Sequence, residues 1–414
     1  MQPAAPDRDA LGDEIMRRIE RIAQCSEPGP GVTRLPFTAQ HRRAAALLRR
    51  WMEAAGLTAH TDHAGTLVGR RDGDGDGGRG ALLLGSHQDS IPQGGRYDGM
   101  LGIVLPIVCL EYLKHAPLAF AVEVLAFADE EGVRFPTAMP GPRALAGTFD
   151  AAALDLRDRD GVSLRRAMRE YGARPDDIAQ LARAPDQVLG FVETHIEQGP
   201  VLQHRDLPLG VVTAICGIER WSVSLRGRAA HAGTTPVELR RDALACAAEV
   251  VAEVERYCRA TDELTGNVGA LSVTPNAVNV VPSRVELSLE LRAGDDRTRR
   301  LAAAEVTGRI RRIAENRGIE AALQQTYAQA AVQCDAALSD ALQTAVTAAG
   351  CPAHRLVSGA THDASAMAAA FPVAMLFVRC RDGVSHHPAE SMTAADAGAA
   401  AAALIAFLTR FGGR

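Results

Sequence analysis

Lysine is almost missing from this chain. One residue, Lys114, stands against 44 arginines in 414 residues. No G-K-[ST] phosphate-binding loop exists, and a Schiff base would have to form on Lys114, in the helix-like stretch CLEYLKHAP (109–117). A metal site bridged by a carbamylated lysine is disfavoured for the same reason. Aromatic residues make up only 4%, so small side chains must do much of the close packing. Eight cysteines are scattered without a C-x-x-C pair, which speaks for reduced, mostly buried thiols rather than a disulfide framework or a thiolate metal site. The longest late apolar run, Ala397 to Leu408, falls short of the roughly 20 residues that span a bilayer and reads as an Ala-rich buried helix. The opening MQPAAPDRDALGDEIMRRIE is charged and mixed, unlike a signal peptide. With a formal charge of -5 and no basic cluster interleaved with aromatics, nothing points to nucleic acid. The expectation is a cytoplasmic protein with no membrane association.

What is present suggests two domains. Residues 41–55 have helical spacing and end at Gly56. Four apolar runs, ALLLG (81–85), AVEVLAFA (121–128), VLGFV (188–192) and VAMLFV (373–378), are separated by helix-length segments. That arrangement predicts an α/β domain with a mainly parallel sheet flanked by helices. RRDGDGDGGRG (70–80) joins the extended segment LVGR (67–70) to ALLLGS (81–86) and is expected to be a solvated hairpin loop. Its Asp72, Asp74 and Asp76 imitate an EF-hand start, but position twelve is Leu83 rather than Glu.

The middle of the chain has another rhythm. WSVSLRG (221–227) and RVELSLELR (284–292) alternate apolar and polar, as strands with one wet face do. Amphipathic helices are expected at about 241–261 and 297–317. The predicted organisation is a discontinuous catalytic domain, 1–212 plus 329–414, with a smaller α+β domain inserted at 213–328. The two alternating strands are expected to expose an edge that a second copy would cover.

Each apolar run leads into polar residues of one chemical type: Ser86-His87-Gln88-Asp89; Asp129-Glu130-Glu131; Glu193-Thr194-His195 through Gln198; and, after a short loop, Ser385-His386-His387-Pro388-Ala389-Glu390. In open α/β sheets the carboxyl ends of the strands form one rim, where sites assemble. Four strand ends would bring His87, Glu131, His195 and His386 together, with Asp98 supplied by the glycine-rich loop GSHQDSIPQGGRYDG (85–99). Imidazole and carboxylate without thiolate suit Zn²⁺, Mn²⁺, Co²⁺ or Ni²⁺. Asp98 is the natural candidate to bridge two ions, and Asp89 to orient the His87 ring. His387 stands beside His386, and only one need be a ligand. His41, His60, His63, His115, His204 and His354 lack comparable surroundings.

The stretches GSHQDSIPQGGRYDGMLG, FADEEGVRF, ETHIEQGPVL, GRAAHAGTTP, PNAVNVVPSRVELSLELR, SGATHDASAM and GVSHHPAE together resemble the hydantoinase/carbamoylase-type amidases within the two-metal M20-like peptidases. The resemblance runs from about residue 85 to 390. It implies a catalytic α/β domain with an inserted lid that dimerises, and two divalent ions per subunit held by His87, Asp98, Glu131, His195 and His386. Glu130 would be the general base. His231, Asn279, Arg292 and Gln198 would contact substrate, and His231 would also serve catalysis, with Asp89 in support. The implied reaction is hydrolysis of a linear carbamoyl or amide C–N bond in a small ureido acid. N-carbamoyl-L-amino-acid hydrolase is the first reading, with allantoate amidohydrolase or ureidopropionase as alternatives. A non-catalytic metal-binding module is the competing class, and retention of Glu130 argues against it. Three positions depart from the usual pattern: Thr361 replaces a Gly, Pro142 a Ser and His387 an Asn.

Overall fold

The four apolar runs form the centre of one sheet. The computed structural model describes residues 6–74 and 80–412. In chain order the strands are β1 (Thr58–Thr61), β2 (Leu67–Arg71), β3 (Ala81–His87), β4 (Ala121–Phe127), β5 (Val188–Ile196) and β6 (Leu209–Ile215). A second group comprises β7 (Gly217–Arg226), β8 (Ala230–His231), β9 (Leu264–Asn267), β10 (Leu271–Thr274), β11 (Val280–Val281), β12 (Arg284–Ala293) and β13 (Glu320–Gln329). The short β14 (Val332–Gln333) and β15 (Arg355–Ser358) pair with β6, and β16 (Val373–Val378) belongs to the first sheet. The chain divides into two compact units. One is Met1–Thr213, Cys334–Leu356 and Thr361–Arg414; the other is Ala214–Gln333 and Val357–Ala360.

In the first unit the sheet order runs β1-β2-β4-β3-β5-β16-β6. The middle strands β4, β3, β5 and β16 are parallel, and β2 and β6 flank them antiparallel. Full burial on both faces explains the continuous apolar runs. Strand order reverses around β3, whose neighbours are β4 on one side and β5 on the other, and such reversals open a crevice at the carboxyl ends. Helix Leu101–Tyr112, apolar on every side and buried from Leu101 to Leu110, fills the space between β3 and β4 in sequence. Helix Ala394–Arg410 buries the whole Ala399–Ala403 run, the close packing that a chain poor in aromatics requires. All eight cysteines are free thiols, six of them buried. Among the described residues, no helix is long and apolar enough to cross a membrane.

Three expectations need correction. First, 70–80 does not close a hairpin, because β4 lies between β2 and β3 and β2 pairs with β4. Asp72 meets Arg70 and Asp74 accepts from the Leu118 N–H, while 75–79, with Asp76, lie outside the described residues. Second, β5 does not stop at Val192. It continues through Glu193 and His195 to Ile196, since β16 pairs with it along this stretch. The buried Glu193 is satisfied there by the Ser86 hydroxyl (2.7 Å) and the Ala364 N–H (2.9 Å).

The third correction concerns the second unit, whose main sheet has the order β10-β12-β7-β13, with β9 also on β12. The alternating segments form β7 and β12, which are its middle strands and not an edge. Each is paired on both sides, and the edge falls to the largely exposed β13 and β10. Helices Ala243–Arg259 and Asp296–Asn316 pack with β7 and β12 around Val223, Leu225, Val250, Leu289 and Ile310.

Candidate metal centre

Asp98 is the hub of the polar cluster in the first unit. Its Oδ1 lies 3.4 Å from His87 Nε2 and 3.1 Å from His195 Nε2, and its Oδ2 lies 3.3 Å from His386 Nε2. Glu131 Oε1 is 3.7 Å from the same His386 nitrogen. Two sets of ligand atoms therefore share Asp98: His87, Asp98 and His195 form one, and Asp98, Glu131 and His386 the other, each able to hold a cation. His87, Glu130 and Glu131 make a further such group.

Local structure explains the convergence. His87 closes β3 opposite Phe127 of β4, and His195 sits in β5 opposite Phe377 of β16. Asp98 lies three residues before the start of helix Leu101–Tyr112. Gly99 follows with φ +64°, and a Cβ there would lie 2.5 Å from the His87 ring, so only glycine fits. Glu130 and Glu131 are set by Asp89, whose two carboxylate oxygens accept their backbone N–H groups at 3.1 and 3.3 Å. His87 Nδ1 is 3.2 Å from the Asp89 carbonyl and His195 Nδ1 is 2.9 Å from the Ile196 carbonyl. Each ring is thus tied at Nδ1 and presents Nε2 inward, the orientation a metal-binding imidazole needs. The Gly99 N–H donates to His195 Nε2 at 3.1 Å.

The electrostatics are those of a buried acid–imidazole cluster. Burial opposes ionisation of Asp98, yet His195, His386 and His87 hold its carboxyl well below the usual range. The hydrogen bond to Asp98 raises His386 to about 8. Burial, then the charge on Asp98, raises Glu131 to about 7. Burial foremost, with Glu131 and Asp363 adding to it, pushes Glu130 well above the carboxylate norm despite nearby His87.

The donors fit a divalent cation: nitrogen and oxygen, no thiolate, and one carboxylate with an oxygen toward each set. Gln198 adds an independent sign. Its Nε2 donates to Asp98 Oδ2 (2.9 Å) and Ser385 Oγ (3.2 Å), while its buried Oε1 has no hydrogen-bond partner among the described residues. An unpaired buried acceptor costs about 1–3 kcal/mol. Of the neighbouring histidines, His386 (φ +56°) turns its Nε2 to Asp98, whereas His387 Nδ1 accepts the Ala389 N–H of its own loop. Pro142 is buried in the short helix Pro140–Leu145, and Thr361 is half-buried.

The residues of the second unit form a separate picture. His231 pairs with Val280 through β8 and β11, the Ala232 N–H donates to the Asn279 carbonyl, and His231 and Asn279 are both exposed. This ribbon continues the β7–β12 pair beyond Arg226 and Arg284. Arg292 lies toward the other end of β12, its Nε on Glu290 (2.7 Å) and its Nη1 on the Gly359 carbonyl (2.5 Å). The eight steps from Arg284 to Arg292 alone span about 26 Å. Asn279 therefore stands beyond one end of β12 and Arg292 near the other.

Sequence reading passed over several neighbours. Glu390 is 2% exposed and accepts the N–H groups of Tyr97 and Asp98. His362 is buried with its ring 4.7 Å from that of His195 and forms a cation-capable group with His195 and Glu193. Only tertiary burial marks them; nothing in P-A-E or T-H-D announces it.

The sheet with its reversal at β3 and the shared Asp98 define a family. Residues 83–410 match the profile of the peptidase family M20/M25/M40, and the chain belongs to that family. Among its relatives, the N-carbamoyl-L-amino acid amidohydrolase of Geobacillus stearothermophilus is 40% identical over 388 residues, 93% of this chain and 95% of that protein. The allantoate deiminase of Arabidopsis thaliana is 37% identical, over 96% of this chain and 82% of that one. A crystal structure of an amidase of the hydantoinase/carbamoylase family from Burkholderia multivorans superposes with a TM-score of 0.91 at 32% identity, covering 96% of this chain and 97% of the other.

Proposed function

We propose that this chain is a metal-dependent amidohydrolase that cleaves the ureido C–N bond of N-carbamoyl-L-amino acids. The observation that carries the reading is Asp98, one oxygen toward His87 and His195 and the other toward His386. His87, Asp98, Glu131, His195 and His386 would hold two divalent ions, Zn²⁺ or Mn²⁺, with Co²⁺ or Ni²⁺ also compatible with these donors. Such a pair, when bound, acidifies a water and polarises the attacked carbonyl. Glu130 takes the proton of the attacking water and returns it to the leaving nitrogen. Asp89 fixes Glu130 and the His87 ring together. Gln198 Oε1 accepts an N–H of the ureido group. Allantoate is the second reading, favoured by plant relatives such as that of Arabidopsis thaliana.

The guanidinium of Arg292 offers a planar fork for the substrate carboxylate. A panel of N-carbamoyl-L-amino acids, allantoate, ureidopropionate and dipeptides, assayed with Mn²⁺ or Zn²⁺, tests the reading on the wild type and on Arg292→Ala. The expected outcome is turnover of carbamoyl amino acids ahead of allantoate, with dipeptides inert. Arg292→Ala should lower kcat/KM for the acids by about 10²-fold, as loss of a charged hydrogen-bonding group does, and spare their neutral amide analogues. Equal losses on acids and amides would make Arg292 a structural residue, and preferred cleavage of dipeptides would overturn the substrate class.

The site is completed by a second copy, in this proposal, through the inserted α+β unit acting as a lid and dimerisation domain in the cytoplasm. The support is the separation within that unit, which leaves Arg292 toward one end of β12 and His231 with Asn279 beyond the other, so that a second chain would supply the latter pair. Those two would donate to the tetrahedral oxyanion. Mixing Glu130→Gln with His231→Ala under subunit exchange places both lesions in one site of each heterodimer and leaves the other intact. Activity should then rise from near zero toward the share set by heterodimer abundance. Heterodimers without activity would assign His231 to its own chain.

A further inference from the structure

We propose that Glu390 is a positioning residue that locks the bridging carboxylate to His386, so that binding of the second ion, at Asp98, Glu131 and His386, depends on it far more than binding of the first. The inference rests on the two-ion reading above.

His87 and His195 are held by strand ladders in the middle of the sheet. Asp98 and His386 are not; both stand on loops far apart in sequence, and something must hold one loop to the other. Glu390 does so from a buried position, 2% exposed. Its Oε1 accepts the backbone N–H groups of Tyr97 (2.8 Å) and Asp98 (3.1 Å), and its Oε2 accepts the hydroxyl of Ser385 (3.0 Å), the residue before His386. Ser385 Oγ also lies 3.1 Å from Asp98 Oδ2, the oxygen that faces His386. On its own side, the Glu390 N–H closes a turn onto the His387 carbonyl.

The fit is tight enough to dictate a neighbour. A Cβ on Gly95 would lie 2.0 Å from the Glu390 carboxyl carbon, and the nearest atoms it meets all belong to that carboxylate. Gly95 has no positive φ, so no left-handed backbone excludes alanine there, and the nearest obstacle is the Glu390 carboxylate. Gly95, three residues ahead of Asp98, thus makes room for the clamp.

Titration of chelated protein with Mn²⁺, followed by calorimetry and metal analysis, tests this on the wild type, Glu131→Gln, Glu390→Ala, Glu390→Gln, Gly95→Ala and the double variant Gly95→Ala/Glu390→Ala. The wild type should take up two ions. Glu390→Ala should weaken the event that Glu131→Gln removes by about 10- to 100-fold, the usual effect of losing a residue that orients a ligand, and the other event by less than about threefold. Glu390→Gln keeps an acceptor for both N–H groups and should recover most of the loss. Gly95→Ala should reproduce the Glu390→Ala pattern alone and add nothing on the Glu390→Ala background, where its methyl has room. Additive effects, no change in either event, or equal weakening of both together with a lower melting temperature of the metal-free protein would overturn the role of Glu390. Uptake of fewer than two ions by the wild type would overturn the two-ion reading and this inference with it.

Discussion

Stripping divalent cations from the protein is expected to lower hydrolysis of N-carbamoyl amino acids by about 10³-fold or more, and Mn²⁺ or a similar ion is expected to restore it. Two cations contribute several kcal/mol to such a transition state, and each 1.4 kcal/mol is a factor of ten. Among the described residues, neither the lysine nor the buried thiols are placed to take over the task. The one lysine spends its Nζ on the Ala54 carbonyl, outside the cluster. Burial pushes the thiols of Cys109, Cys216, Cys246, Cys334 and Cys380 up, away from the reactive thiolate. Turnover assayed before and after exhaustive chelation, with metal content measured on the same samples, checks this. Undiminished activity in a sample free of metal would end the proposal.

The second large effect separates two adjacent glutamates. Their backbone N–H groups share one anchor, the Asp89 carboxylate, but only the Glu131 carboxylate is within 3.7 Å of His386 Nε2. Glu130→Gln should retain both ions and lose about 10²- to 10⁴-fold in kcat, the contribution of a positioned general base, with KM little changed. Glu131→Gln should instead lose one ion, and its activity should recover in part at high metal concentration. The opposite pattern would exchange the two roles.

Much of the first unit was legible because its central strands are buried on both faces. Continuous apolar runs are what such strands require, and 81–85, 121–128, 188–192 and 373–378 all became neighbours in one parallel array. Where those strands end was not legible. Glu193 and His195 look like residues beyond a strand, yet the pairing with β16 continues through them and Ser86 and Ala364 satisfy the buried acid. Nor does sequence order give sheet order: β2 and β3 are consecutive, but β4 inserts between them. Alternation likewise reports one wet face and not an edge, which is why β7 and β12 proved to be middle strands. The cluster around Asp98 was readable from residue type and strand position. The choice of His386 over His387 depends on a left-handed backbone at one residue, and the place of Glu390 on burial by two distant loops.

The most direct test of the account is anomalous diffraction from crystals grown with Mn²⁺ and measured at the manganese edge. Two peaks about 3.5–4 Å apart, the spacing of paired catalytic ions, are predicted on opposite sides of the Asp98 carboxylate, one against His87 and His195 and the other against Glu131 and His386. A single peak, or peaks that leave Asp98 uncoordinated, would contradict it.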